Sequence, residues 1–176
     1  MIISISGTPK TGKTSVAKAL AEKLNWRLVS LNELAKEKKL YVGYDRSRKS
    51  RIVDIRRLRT EVRKLSRLHK NLILESHYSH DMLCDVVVIL RTNPKELRKR
   101  MAGEGWTKKK MEENIESEIM EIVKNEALEK AKTVLEVDTT GKKPEWVADQ
   151  IVKKLKLGRK PAQKEGKFGF KRKAIG

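Results

Sequence analysis

Cysteine is nearly absent from the chain: Cys84 stands alone among 176 residues, so no disulfide can form within it. A reducing, cytoplasmic setting is expected, with Cys84 as a buried structural thiol. Long apolar runs are missing too. No stretch approaches the roughly 20 residues needed to span a bilayer, and the first residues, MIISIS, read as a strand rather than a leader. The expectation is a soluble, intracellular protein of one domain, long enough to bury a core without covalent staples. Acidic residues are scarce as well. Against 42 lysines and arginines there are 23 aspartates and glutamates, a formal net charge of +19. Adaptation to heat or salt raises both signs together and leaves this excess unexplained. RNA, or a particle that carries it, would be attracted in a salt-dependent way. No internal repeat is present.

What the chain does have is SGTPKTGKTS at residues 6–15. Gly7, four residues, Gly12, Lys13 and Thr14 fit the phosphate-binding loop pattern, which works only between a strand and a helix. That context is met. MIISIS suits a buried parallel strand, and KTSVAKALAEKL puts Val16, Leu20 and Leu24 at helical spacing. Gly12 removes a side chain where backbone N–H groups must approach phosphate oxygens, and the positive end of the following helix favours the anion. Lys13 is then expected to reach the terminal phosphates and the Thr14 hydroxyl to bind magnesium. The competing reading, a chance glycine turn, does not account for the agreement of spacing, strand and helix.

Further along, WRLVSL reads as a second strand and Asn32 as the cap of a short helix, NELAKEKK. Residues 39–53 lack helical periodicity and read as a functional loop. Asp54 can cap IRRLRTEVRKLSRLHK, whose Ile55, Leu58, Val62, Leu65 and Leu68 form one apolar stripe. NLIL and DVVVILRT read as a third and a fourth strand, TVLEVDTT as a fifth. Helices are expected over 94–102, 107–131 and a closing segment begun by Pro144. Alternating strands and helices predict an α/β fold with a doubly wound parallel sheet, ligands sitting at the carboxyl ends of its strands. Gly12 and Glu75 fall there. From Gly158 onward Gly, Pro, Lys and Arg dominate, and a disordered basic tail is expected, with Phe168 and Phe170 able to stack on bases.

Glu75, just after LIL, is the carboxylate best placed to orient the water shell of magnesium. His77, two residues on, points to the same side of an extended chain and can order a water or sense the terminal phosphate. His77, His80, Asp81 and Cys84 raise the thought of zinc, but a structural site needs four ligands at recognised spacing. A polar loop role for His80 is the simpler reading. Asp45 to Arg57 is rich in arginine and lies where small-molecule kinases hold the phosphate acceptor; Arg57 can clamp a phosphate bidentately, while Arg59 and Arg63 read as a solvated face. RKRMAGEGWTKKK, with Gly103 and Gly105, has the make-up of a mobile lid or of a plain basic turn, and Arg100 and Lys108 to Lys110 are its candidate cations. DTTGKKPEW, with Gly141 and Lys142, can contact a purine through its backbone. The Asn-Lys-x-Asp guanine signature is absent, which favours adenine.

Taken in order, GTPKTGKT, LYVGYD, ESHYSH, VVVILRTNPKELRKRM, GEGWTKKKMEENIESEI and TTGKKPEWV resemble one family over about residues 1–155. It is that of the archaeal and eukaryotic adenylate-kinase-like ATPases of small-ribosomal-subunit assembly, the coilin-interacting nuclear ATPase type in animals. The resemblance implies a P-loop NTPase with an adenylate-kinase-like three-layer fold over 1–157, a five-stranded parallel sheet, a short acceptor (NMP) region at about 30–53 and a short lid at about 103–113. It implies ATP and magnesium, both ATPase and adenylate kinase activity with AMP as acceptor, and as partners a platform ribosomal protein of the small subunit and pre-ribosomal RNA. Carried over, catalysis falls on Lys13, Glu75 and His77. Nucleotide binding falls on Gly7, Lys10, Thr11, Gly12, Lys13, Thr14 and Ser15, with Gly141 and Lys142 near the base; magnesium falls on Thr14 and Glu75, partly through water; Asp45, Arg57 and Arg100 are the acceptor and lid candidates. Two positions depart from the family. Lys10 replaces a glycine, so it needs a negative φ or absorbed strain, and Glu104 replaces the arginine of the lid's RGY pattern. A carboxylate beside a polyphosphate repels it, which disfavours fast transfer to AMP and leaves slow hydrolysis less affected. The expected function is therefore an assembly ATPase with residual kinase activity. The alternatives are a metabolic nucleoside monophosphate kinase and a nucleotide-gated module without catalysis.

Overall fold

The structure, a computed structural model, describes residues 1–46 and 50–157; the expected basic tail, 158–176, lies outside the described residues. Along the chain run β1 (Ile2–Ser6), α1 (Lys13–Leu24), β2 (Arg27–Ser30), α2 (Leu31–Glu37), β3 (Tyr41–Asp45), β4 (Ser50–Val53), α3 (Ile55–Leu68), β5 (Leu72–Glu75), a short 3-10 turn (Ser79–Asp81), β6 (Val86–Arg91), α4 (Pro94–Ala102), α5 (Lys108–Ile119), α6 (Ile122–Lys130), β7 (Val134–Asp138) and α7 (Pro144–Lys154). Five strands pair in parallel in the order β2-β5-β1-β6-β7. Strand β1 is central, and the chain reverses its direction of winding there, so the crevice beyond its carboxyl end is the natural ligand position.

The apolar strands are buried on both faces, with side chains alternating between two layers of helices. Ile3, Ile5, Val88 and Leu90 pack with Val16 and Leu20 of α1 and Val147 and Ile151 of α7. On the other face Leu72 and Leu74 meet Leu58 and Val62 of α3, while Val87 and Ile89 meet Ala127 of α6. This is the expected three-layer α/β fold. Among the described residues no helix is long and apolar enough to cross a membrane. Cys84 is half-buried, and burial pushes its thiol up to about 11, so it stays protonated and unreactive.

Four local expectations differ from the structure. Residues 39–53 do not form a loop: β3 and β4 make an antiparallel hairpin, Tyr44 opposite Arg51 and Asp45 opposite Ser50. Its residues are mostly exposed, so no buried face writes a two-residue alternation into the sequence. The helix expected over 107–131 is two helices, because Glu121 adopts a left-handed φ of 55° and starts α6. Ser30, not Asn32, occupies the cap position of α2; the Asn32 side chain instead accepts a hydrogen bond from the Tyr78 hydroxyl at 2.7 Å. Leu68, assigned to the apolar stripe of α3, ends the helix largely in solvent. Asp54 does cap α3, accepting from the Arg57 amide at 3.0 Å.

Candidate functional site

Residues 7–12 form a tight loop between β1 and α1. Gly7 has φ of 142°, and a Cβ there would lie 2.5 Å from the Leu90 carbonyl oxygen, so only glycine lets the loop pass β6. Gly12, at φ 93°, caps α1 in a conformation that side chains rarely adopt. Lys10 takes φ of 68°, so the second condition set by the sequence applies: the loop absorbs a left-handed side-chain residue, at a cost of about 1–2 kcal/mol. The loop is held from within. Lys13 Nζ and Thr11 Oγ1 both donate to the Thr8 carbonyl, at 2.9 Å each, and Thr139 Oγ1 donates to the Thr11 carbonyl at 3.0 Å.

A cleft of about 580 Å³ opens over the loop, lined by Pro9, Lys10, Gly12, Lys13, Thr14, Ser15, Asn32, Glu75, His77 and Arg100. Lys13, at the start of α1, and Glu75 and His77, at and just after the end of β5, therefore face one space. Lys13 is buried, and loss of hydration lowers its pKa to about 8 against the opposing pull of Glu75 and then Glu118. His77 reaches solvent at the cleft mouth, yet the protein packed around the rest of its ring lowers its pKa to about 4, with the Lys13 ammonium and His80 adding to the effect. It is neutral at physiological pH. The hard oxygen donors that face the cleft, the exposed Thr14 hydroxyl and the Glu75 carboxylate, suit magnesium rather than a soft metal.

Several expected site residues lie elsewhere. The Thr11 side chain is buried and serves the loop's own hydrogen bonding. Asp45, at the end of β3, and Arg57, in the first turn of α3, do not line the cleft, because their segment folds outward as hairpin and helix. Gly141 makes the turn after β7 at φ 63° and Lys142 sits over the Trp146 ring at 5.0 Å, both outside the lining. Arg100 does face the cleft, with its guanidinium donating to Glu96 at 3.2 Å, to the Lys10 carbonyl at 3.3 Å and to the Thr139 carbonyl at 3.4 Å. His80 sits in the 3-10 turn after β5 in the polar role expected, but buried, with Nδ1 2.9 Å from Ser6 Oγ and Nε2 3.1 Å from Glu126, so both ring nitrogens are engaged and neither is left for zinc.

Two arrangements were not anticipated. The Lys10 ammonium meets Glu104 at 2.6 Å, which joins the two positions that depart from the family in one ion pair across the cleft mouth. Glu118, buried near the end of α5, accepts from Thr8 Oγ1 at 2.6 Å, Arg91 Nε at 2.7 Å and the Thr92 amide at 3.0 Å. Its signal in the sequence was its position: Met111, Ile115 and Glu118 lie at helical spacing, so a carboxylate occupies the apolar stripe of α5.

Comparison with known proteins identifies the relatives of the chain and of its fold. The model of the family described as "AAA domain" matches residues 3–121. A Thermococcus onnurineus protein named "Putative adenylate kinase" is 42% identical over 166 residues, covering 91% of this chain and 87% of its own; one of the same name from Methanosarcina barkeri is 41% identical, covering 87% and 85%. Among solved structures, deoxyadenosine kinase from M. mycoides superposes with a TM-score of 0.58 at 16% identity, covering 89% of this chain and 99% of its own. Shikimate kinase from Acinetobacter baumannii gives 0.61, also at 16%, covering 90% and 95%. These two show the fold, that of P-loop kinases. A family match of this extent, with identity at this level over nearly the full length of both chains, makes the chain a member of the AAA-domain family, in the group of archaeal P-loop proteins that carry the adenylate kinase name.

Proposed function

We propose that the chain is an ATP-dependent phosphotransferase of the adenylate kinase type, with AMP as acceptor and a cytoplasmic setting. The convergence of Lys13, Thr14, Glu75 and His77 on one cleft above the phosphate loop carries this reading, and the names of the relatives support it. In the transfer, an oxygen of the AMP phosphate attacks the γ-phosphorus of ATP, the bond from that phosphorus to the bridging oxygen breaks, and two ADP result. Magnesium, held by Thr14 and by Glu75 through water, would neutralise charge on the β- and γ-oxygens. Lys13 is aimed by its bond to the Thr8 carbonyl and supplies a cation to the transferring group. Neutral His77 offers a hydrogen bond at the mouth without adding charge. Of the acceptor region and lid expected at 30–53 and 103–113, Asn32 lines the cleft and Glu104 is joined to Lys10 at its mouth, which supports placing the acceptor and the lid on those two sides.

A second reading has its own support. Glu104 brings no cation of its own to the cleft, and the net charge far exceeds what a nucleotide needs, so hydrolysis in small-subunit assembly, with a platform protein and pre-ribosomal RNA as partners, is the competing function. Product analysis decides between them. Purified protein with magnesium and ATP, with and without AMP, is compared with Lys13→Ala. Kinase action consumes AMP and yields two ADP without phosphate; ADP accumulating in step with phosphate and indifferent to AMP establishes the ATPase. No turnover above the Lys13→Ala background leaves only a nucleotide-gated module.

A further inference from the structure

Arginine is not spread evenly through the chain. Eight of its fourteen arginines lie from Arg46 to Arg67, where there are two lysines; elsewhere lysines outnumber arginines twenty-six to six. On α3, Leu58 and Val62 are buried against β5, while Arg56, Arg59, Arg63 and Arg67 are exposed at spacings of three, four and four residues, which places them on one outward flank. At 1.5 Å per residue this ladder is about 16 Å long.

Pairing distinguishes the ladder from the arginines of β6 and α4. Arg91 is bound by Glu118 and Glu121, Arg98 by Glu112 and Arg100 by Glu96. Among the described residues, the side chains of Arg56, Arg63 and Arg67 meet no carboxylate, and Arg59 donates to the Asp81 carbonyl at 2.7 Å. The one acid on α3, Glu61, is engaged by Lys64 at 2.7 Å. Unrelieved like charges at helical spacing destabilise a helix, and a face made only for solubility intersperses both signs. Arginine rather than lysine points further, since its planar fork matches phosphate oxygens bidentately. In the hairpin that precedes α3, Arg51 covers the Tyr41 ring at 4.9 Å, while Tyr44 is exposed and offers its ring to an unpaired base.

We propose that the outward flank of α3 binds single-stranded RNA, the arginine ladder contacting successive phosphates and the exposed Tyr44 of the preceding hairpin stacking on a base. None of the four arginines lines the nucleotide cleft, so the assignment stands whichever acceptor the cleft uses.

The test is fluorescence anisotropy of the full chain with a labelled RNA of about 20 nucleotides, long enough to cover the ladder several times, over a series of salt concentrations. Arg56→Gln, Arg63→Gln and Arg67→Gln are combined in one variant. The control, Lys18→Gln, Lys153→Gln and Lys154→Gln, removes the same charge from other exposed helix positions. The arginine variant is expected to bind about tenfold more weakly and to lose about two units from the slope of log affinity against log salt, at about 0.7 per phosphate contact, with nucleotide turnover unchanged. The control is expected to keep both. Equal losses in the two variants, no loss in the arginine variant, tighter binding of single-stranded DNA, or competition by polyglutamate or anionic vesicles as effective as by RNA would each overturn the proposal. A readout on the wild-type chain guards against a variant that fails to fold: ultraviolet crosslinks to RNA should fall within residues 41–70, and crosslinks confined elsewhere refute the surface.

Discussion

Lys10 and Glu104 show how a pair of residues can change the meaning of each. Alone, the lysine is a strained side chain at φ 68° and the glutamate a repulsive charge beside phosphate. Together they form a 2.6 Å ion pair, each side chain partly in water, which is worth at most about 1 kcal/mol and offsets part of the left-handed cost. The ion pair offsets part of the Glu104 charge that the polyphosphate would otherwise meet. Lys10→Glu should raise the KM for ATP by about tenfold, equivalent to about 1.4 kcal/mol, because two carboxylates then face the polyphosphate. Adding Glu104→Lys should recover most of that loss, with the recovery shrinking at high salt. A double variant no better than the single one would show that the pair does not govern the cleft. Sequence spacing gave each residue's place, but their meeting across 94 positions belongs to the fold.

At the scale of elements, α5 is tied to the sheet and to the phosphate loop through one buried carboxylate. Glu118 holds Thr8 of the loop and Arg91 and Thr92 at the end of β6, and the Arg91 guanidinium donates also to the Glu118 carbonyl at 2.8 Å and to Glu121 at 2.6 Å. Removing one member of such a buried set leaves uncompensated charge and unpaired donors. Glu118→Ala is therefore expected to lower stability by about 3 kcal/mol and the thermal midpoint by roughly 6–12 °C, measured by calorimetry, with weaker ATP binding because Thr8 also positions Lys13. A loss below about 1 kcal/mol, the scale of one ordinary hydrogen bond, would mean that the network does not anchor the loop. Elements with buried faces were legible beforehand: α1 shows its helical periodicity, and β1, β5 and β6 show as short apolar runs buried on both faces. The hairpin and the break at Glu121 were not, since one lacks a buried face and the other is a single left-handed residue inside an otherwise helical pattern.

For the molecule as a whole, nucleotide binding and folding are linked through Lys13. Its pKa falls from 10.5 to about 8 on burial, so between those values the unfolded chain binds more protons than the folded one. By linkage, this group adds stability to the nucleotide-free fold as pH rises through that window. An anionic ligand needs the ammonium and gains less there. Magnesium and ATP at about a hundred times Kd should stabilise the fold by about 2.7 kcal/mol, a midpoint shift of roughly 5–10 °C at neutral pH. The shift should shrink as pH rises from about 8 toward 10 and be absent in Lys13→Ala. A shift constant across that range would remove Lys13 as the titrating anchor.

The phosphate loop, the parallel sheet and the segments after β1 and at the end of β5 that present Lys13, Glu75 and His77 were readable from the chain alone, because glycine spacing and apolar patterning are local constraints that fold and chemistry impose alike. Packing had to settle that Asp45 and Arg57 leave the cleft, that His80 is sealed between Ser6 and Glu126, that Glu104 answers Lys10, and that among the described residues Arg56, Arg63 and Arg67 meet no carboxylate. Each of these depends on which distant side chain packs opposite, and burial and pairing are properties of contacts that linear spacing does not encode.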